Sequence, residues 1–215
     1  MASLTERLER CYTGVVHDVM RGMGLRDFTL PPSLKPILPG KRLAGPAYTI
    51  SGRVDITASA HETLLAWTGL LSKAPGDHVL VEQPNDSTVA HMGELSAETL
   101  SRKGVRGCVI DGGCRDVAFL QETGFQVYCR HFTPRDVVGH WLPDRFEDPV
   151  RIGDVTIRTG DLICADLDGV VVLPVEQAET IVDQAEEAMR TENLVRKAIL
   201  EGMDPQEAYL KYGKF

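Results

Sequence analysis

Gly104-Val-Arg-Gly-Cys-Val-Ile-Asp-Gly-Gly-Cys-Arg-Asp116 is the stretch that decides the fold. Gly104 stops a helix. Val105 to Ile110 is a short apolar run with the length and composition of a buried strand. Asp111-Gly112-Gly113 then turns the chain and presents Arg115 beside Asp116. A strand that runs into a Gly-Gly turn exposes polar groups at the end of a sheet. An adjacent carboxylate and guanidinium suit one task there: the first holds a divalent cation, the second an anionic substrate beside it. The alternative is a turn with a solvated ion pair, and the motif alone does not separate the two.

The elements on either side are read outward from this turn. Before it, His78 to Glu82 is a strand after the turn Pro75-Gly76-Asp77. A helix follows from Gly93-Glu94-Leu95-Ser96 to Lys103, with Glu94 in its first turn and Arg102-Lys103 in its last, the order that complements a helix dipole. After it, Val117 to Thr123 is a short helix closed by Gly124, and Phe125 to Cys129 is a further strand. Strand, helix, strand, helix, strand from 78 to 129 predicts parallel pairing.

The N-terminal part predicts two short helices, Leu4 to Cys11 and Val15 to Met23, with Thr13 as N-cap of the second. Four prolines between Phe28 and Lys41 predict an irregular arm that crosses the surface or packs on a neighbour. Leu43 to Ser51 is a strand. Asp55 to Ser72 has helical spacing, with Ile56, Leu64, Leu65, Leu70 and Leu71 on its apolar side. Val150 to Ile152, Val155 to Ile157 and Gly169 to Leu173 are β-rich pieces between Gly-Asp and Asp-x-Asp-Gly turns. Val175 to Gly202 is a long helix, and Asp204 to Phe215 a terminal one. No linker or repeat interrupts residues 1–215, so a single α/β domain with a mixed sheet is the simplest account.

The totals exclude several classes. A net charge of −8 argues against a nucleic-acid surface. No run approaches the ~20 apolar residues of a membrane helix, and the N-terminus has no signal-peptide pattern; a cytoplasmic protein is the expectation. The five scattered cysteines read as reduced core thiols. Cys114 sits in the central turn, but no basic partner is near it in sequence to make it a nucleophile. No lysine lies in an apolar run to serve as a Schiff-base amine. The six histidines show no zinc-binding spacing, and His91, at a strand end, reads as structural. Asp166 and Asp168 read as turn chemistry.

One site remains. The free N–H groups of residues 93 to 96 can bind an anion. Arg115 adds a fork for a carboxylate, Asp116 a metal ligand and Glu94 a second acid. Together they suit a small 2-oxo acid chelated to Mg²⁺.

The sequence at these positions resembles a known family. Gly93-Glu94-Leu95, Gly104-Val-x-Gly, Asp111-Gly-x-x-Arg115-Asp116 and Ala165-Asp-x-Asp-Gly-Val-Val-Val-Leu-Pro174 are similar to the class II 4-hydroxy-4-methyl-2-oxoglutarate / 4-carboxy-4-hydroxy-2-oxoadipate aldolases. That family also contains the regulator of ribonuclease activity A. The resemblance implies a layered α/β fold like the swivelling phosphohistidine domains, assembled as a homotrimer or hexamer. It implies that Asp116 holds Mg²⁺ or Mn²⁺, that Arg115 and the backbone of Gly93 to Ser96 hold the pyruvyl part of the substrate, and that Glu94 stands near metal-bound water. It also implies an acid from the C-terminal helix of the next subunit, for which Glu192 is the best match.

The regulator branch lacks the metal-binding Asp; its presence here favours an enzyme. The function expected is cleavage of a 4-hydroxy-2-oxo diacid to pyruvate, with oxaloacetate decarboxylation. A non-catalytic trimeric regulator that binds a partner protein is the alternative. The arm 28–41 and the loop 131–148 are expected to shape the pocket for the distal half of the substrate.

Overall fold

The structure, a computed structural model, describes residues 2–213. The first helix, α1 (Leu4–Arg10), starts at a capping box: the Ser3 hydroxyl accepts the Glu6 N–H, and the Glu6 carboxylate accepts that of Ser3. The second, α2 (Thr13–Gly22), differs from expectation at its start. Tyr12 is the N-cap and Thr13 the first helical residue. The capping carboxylate comes from Asp166, which accepts the Thr13 N–H at 2.8 Å and its hydroxyl at 2.6 Å. The same Asp166 accepts the Asp168 N–H, closing the turn read from the sequence. A cap supplied from so far along the chain leaves no local signature.

The proline-rich arm is also different. It packs on its own chain, burying Leu30, Leu34 and Ile37, and its strand β1 (Lys35–Pro36) lies on the edge of the main sheet. It contributes nothing to the wall of the site described below. The next strand, β2 (Leu43–Val54), is longer than predicted and is the hinge of the fold. Its first part pairs antiparallel with β11 (Leu162–Ala165), its middle parallel with β3 (Val79–Gln83), and its end antiparallel with β8 (Trp141–Phe146). Strand β8 has no clear signal in the sequence, because Pro143 interrupts its pattern.

From β3 the chain follows the predicted alternation. Helix α4 (Glu94–Arg102) leads to β4 (Gly107–Ile110), and α5 (Val117–Thr123) leads to β6 (Val127–Cys129). Strands β2, β3, β4 and β6 are parallel neighbours. The sheet order is β1-β6-β4-β3-β2-β11-β12, with β12 (Val170–Leu173) at the far edge. Parallel centre and antiparallel flanks make the sheet mixed, as expected. A hairpin of β9 (Val150–Ile152) and β10 (Val155–Ile157) turns at Gly153-Asp154.

Successive side chains of a strand point to opposite faces, and the core divides accordingly. Tyr48, Ile50, Leu80, Cys108 and Ile110 face the helices, against Trp67, Leu70 and Leu71 of α3 (Ala60–Lys73), Leu100 of α4 and Leu120 of α5. Ala47, Val79, Val81 and Val109 face the hairpin side, with Ile152 and Ile157. A third cluster packs α1, α2 and α6 (Ala178–Leu200) on β11 and β12. The expected apolar side of α3 needs correction. The helix starts at a Ser59–Glu62 capping box, not at Asp55, and its buried residues are Thr63, Trp67, Leu70 and Leu71. Ile56, Leu64 and Leu65 are exposed. The C-terminal segment splits into a 3₁₀ turn at Val175–Gln177, α6 and α7 (Pro205–Tyr212). Lys214 and Phe215, predicted as part of the last helix, lie outside the described residues.

All five cysteines are free and buried. Cys114 is the least able to ionise: the neighbouring Cys129 thiol and burial hold it far above the ordinary thiol range. No helix among the described residues is long and apolar enough to cross a membrane.

Candidate active site

Three extended runs form the floor of the site. Gly113-Cys114 (β5) pairs in parallel with His131-Phe132 (β7), and a single bridge joins Ala90 to Gly113. Cross-links continue the ladder: His91 N–H to Gly113 C=O, Arg115 N–H to Met92 C=O and Ala90 N–H to Arg135 C=O. The Gly-Gly turn is therefore less a free turn than the middle of a small second sheet. Gly113 is required there, since a Cβ would fall 2.7 Å from the Val89 carbonyl oxygen.

This floor delivers Arg115 and Asp116 to the N-terminus of α4. Asp116 adopts the left-handed region (φ 56°), which turns its carboxylate back toward Gly93. Its Oδ2 accepts the Glu94 N–H at 3.2 Å and lies 3.4 Å from Arg115 Nε. A Cβ on residue 93 would stand 2.6 Å from that same Oδ2, so a side chain there would displace the carboxylate. Asp116 Oδ1 has no hydrogen-bond partner among the described residues. The Arg115 guanidinium is fixed from its other side, Nη1 donating to Asp136 Oδ2 at 3.2 Å. No side chain caps α4. Among the described residues the N–H groups of Leu95 and Ser96 have no acceptor, and they open into the same cleft.

The cleft has a volume of about 450 Å³ and is lined by Gly93 to Ser96, Arg115, Asp116, Asp136 to Val138 and one side of α3. Six of the seven candidate residues are thus together: Gly93, Glu94, Leu95, Ser96, Arg115 and the metal candidate Asp116. Glu192 is elsewhere in its own chain. It lies on α6 against Tyr12, whose hydroxyl it accepts, in a separate depression with Val195 and Arg196. Burial and this bond hold the Tyr12 phenol above its usual range.

His91 borders the cleft from beneath. It is fully buried beneath the loop, its Nδ1 2.8 Å from Glu82 Oε1 and its ring edge-to-face on Trp141. Asp86, 3.2 Å from His140, joins this buried group. Burial pushes its carboxyl upward, but hydrogen bonds from Thr88, with the electrostatic attraction of His140 and His91, outweigh it and hold the group below its ordinary range. Sequence reading missed Asp136 and Trp67, whose indole N–H donates to Ser96 Oγ at 2.9 Å. Neither carries a local motif; both reach the site from elements remote in sequence.

Among the described residues no three His, Cys, Asp or Glu side chains converge as a metal cage. The donor set fits a hard cation held by one exposed carboxylate, with water and substrate completing its shell. Mg²⁺ commonly binds in this way. It does not fit a structural zinc site.

Comparison with known proteins gives the family. The RraA-like family model, described as Aldolase/RraA, matches residues 13–172. The chain belongs to the RraA-like family. Among its relatives is a Halalkalibacterium halodurans protein named "Putative 4-hydroxy-4-methyl-2-oxoglutarate aldolase", 26% identical over 93% of this chain and 90% of the relative. Protein DlpA of Legionella pneumophila is 29% identical over 99% of this chain, which spans only 34% of DlpA's length. Among solved structures, Streptomyces coelicolor RraAS2 is described as an unusual member of the RNase ES inhibitor RraA family. It superposes with a TM-score of 0.78 at 28% identity, covering 90% of this chain and 95% of its own.

Proposed function

We propose that the chain, as one RraA-like domain, is a divalent-metal-dependent lyase that breaks the C3–C4 bond of 2-oxo acids and releases pyruvate. It would act as an aldolase on 4-hydroxy-2-oxo acids and as a decarboxylase on oxaloacetate. The observation that carries this reading is the fixed pair Arg115 and Asp116, 3.4 Å apart beside two unpaired helix-terminal amides. Arg115 forks onto the substrate carboxylate. The Leu95 and Ser96 N–H groups face the oxygen that gains charge as the pyruvate enolate forms. Asp116 would hold Mg²⁺ or Mn²⁺, which supplies Lewis-acid stabilisation of that charge. Glu94, in the first turn of α4, would take the proton of the C4 hydroxyl and return one to C3.

A pyruvate-release assay over a panel of 2-oxo acids tests this directly. Turnover is expected with Mg²⁺ or Mn²⁺ and none after chelation. Absence of metal-dependent turnover would leave the second reading, a non-catalytic regulator, which the likeness to RraAS2 keeps in play.

The oligomeric state is part of the proposal. Leu64 and Leu95, which line the cleft, are both exposed, an apolar rim suited to a second subunit. A homotrimer or hexamer would let Glu192 of a neighbouring copy reach a site that its own chain does not offer it. Light scattering is expected to give three or six copies. A monomer at working concentration would remove Glu192 from the mechanism.

A further inference from the structure

Beneath the floor of the site lies a second group of ionisable side chains that the proposed reaction does not use: Glu82, Asp86, His91 and His140. Glu82 and His91 are fully buried and the Asp86 side chain nearly so, while His140 reaches solvent with 22% of its side chain. His91 stands between the acids, its Nδ1 2.8 Å from Glu82 and its Nε2 3.8 Å from Asp86. Asp86 Oδ2 is in turn 3.2 Å from His140 Nε2. Among the described residues no Lys or Arg pairs with either acid, so the two imidazoles are the groups that can offset their charge. A buried carboxylate without such a partner is strongly unfavourable. That penalty holds these side chains, from three separate segments of the chain, together.

Each histidine anchors a different wall of the site. The His91 N–H donates to the Gly113 carbonyl, and its ring lies under the Gly-Gly turn, where a Cβ on residue 112 would fall 3.1 Å from Cδ2. Two residues further on, Gly93 begins the run of amides at the head of α4. His140 ends the loop that carries Asp136. Its N–H donates to the Val137 carbonyl, and the Gly139 N–H donates to Thr63 Oγ1 at 3.0 Å. The Ala90 N–H joins the two walls by donating to the Arg135 carbonyl. Asp86 ties them a second time. It accepts the Thr88 N–H at 3.0 Å and the Thr88 hydroxyl at 2.8 Å, which fixes its carboxylate between the two histidines. Glu82, Asp86 and His91 are enclosed by their own chain, so a neighbouring subunit at the rim does not touch them.

We propose that Glu82, Asp86, His91 and His140 are positioning residues for the reaction. By pinning the loop of Asp136 to the loop that leads into α4, they set the plane of the Arg115 guanidinium relative to the Leu95 and Ser96 amides. The contacts run from Asp86 to His140 and along its loop to Asp136, whose Oδ2 accepts from Arg115 Nη1 at 3.2 Å. An apolar contact between the loops would let them slide, whereas paired polar groups in a buried site fix both distance and direction. A misplacement of about 1 Å at a reacting group costs on the order of 10²-fold in rate, so a smaller drift of this loop is felt in kcat. The inference rests on the aldolase reading, since the plane of Arg115 matters only where it orients a 2-oxo acid.

His140 is the member to change, because it stands at the solvent edge and Asp86 keeps Thr88 and His91 without it. His140→Ala is expected to keep the fold and the wild-type affinity for Mn²⁺, and to lower kcat by about tenfold. His140→Gln, whose amide N–H can take the place of Nε2 toward Asp86, is expected to return kcat to within about threefold of wild type. Arg115→Lys supplies the second arm. Its loss of about 10²-fold alone is expected to shrink to about tenfold in the His140→Ala background, where the plane it disturbs is already lost. Hydrogen exchange reads the pin without turnover. Peptides covering 88–93 and 133–140 should exchange faster in His140→Ala, and those of β4 at the wild-type rate. Independent effects of the two substitutions, no recovery with Gln, or exchange unchanged in the two loops overturns the inference and leaves the aldolase standing. Failure of the wild type to release pyruvate with either metal removes the aldolase reading and this inference with it.

Discussion

Asp116→Asn is expected to keep the fold and stability of the wild type while losing metal-dependent pyruvate release by on the order of 10³-fold or more. The choice of Asn follows from the backbone. Asp116 sits at φ 56°, a conformation that Asn adopts readily and that costs other residues roughly 1–2 kcal/mol. Asn also keeps an oxygen for the Glu94 N–H, so α4 stays anchored. What it removes is the negative charge on an exposed oxygen with no protein partner. Asp116→Ala should be equally inactive but slightly less stable, since it loses both the acceptor and the conformational preference. Calorimetric titration with Mn²⁺ reads the binding step directly. Wild-type affinity in Asp116→Asn would take the carboxylate out of the metal site, whatever happened to turnover.

The residues that let the site be read in advance are local ones. Gly104 to Asp116 holds a helix stop, an apolar strand and a turn in thirteen consecutive positions, and each is decided by its neighbours. The parallel order of β3, β4 and β6 follows from two helices of the right length between them. The capping order of Glu94 and Arg102 is likewise written within one helix. The errors have the opposite character. Asp166 caps α2 from across the fold, a partner that reading Thr13 as a local cap does not contain. The prolines of the arm exclude helix but not burial, and Leu30, Leu34 and Ile37 go inside. Residues Ile56, Leu64 and Leu65 fit a helical stripe, yet the Ser59–Glu62 capping box starts α3 later and turns Thr63 and Trp67 to the core instead. Asp136 bonds Arg115 from the loop 131–148, where no local motif singles out one residue.

Arg115→Lys is expected to lower kcat/KM by about 10²-fold, some 2.7 kcal/mol of transition-state stabilisation, although the charge is kept. The guanidinium does several things at once. Its Nε lies against Asp116 and its Nη1 donates to Asp136, and these two contacts set the plane of the fork that remains for substrate. An ammonium is a point charge with no plane to set. At this position it can approach Asp116 or Asp136, or the substrate carboxylate, but it cannot hold all three in one geometry. The backbone consequence is small, because the Arg115 N–H to Met92 C=O bond is common to both side chains, and the side chain is over a third exposed. Thermal stability should therefore stay within about half a kcal/mol of wild type. The division between kcat and KM carries the mechanistic content. If Arg115 only collects the substrate carboxylate, KM rises and kcat is kept. If it also orients the 2-oxo group so that the developing enolate oxygen meets the Leu95 and Ser96 amides, kcat falls as well, and that fall is the result expected. A lysine variant that retains wild-type kcat/KM would show that charge alone suffices and that the fixed plane of the guanidinium has no part in catalysis.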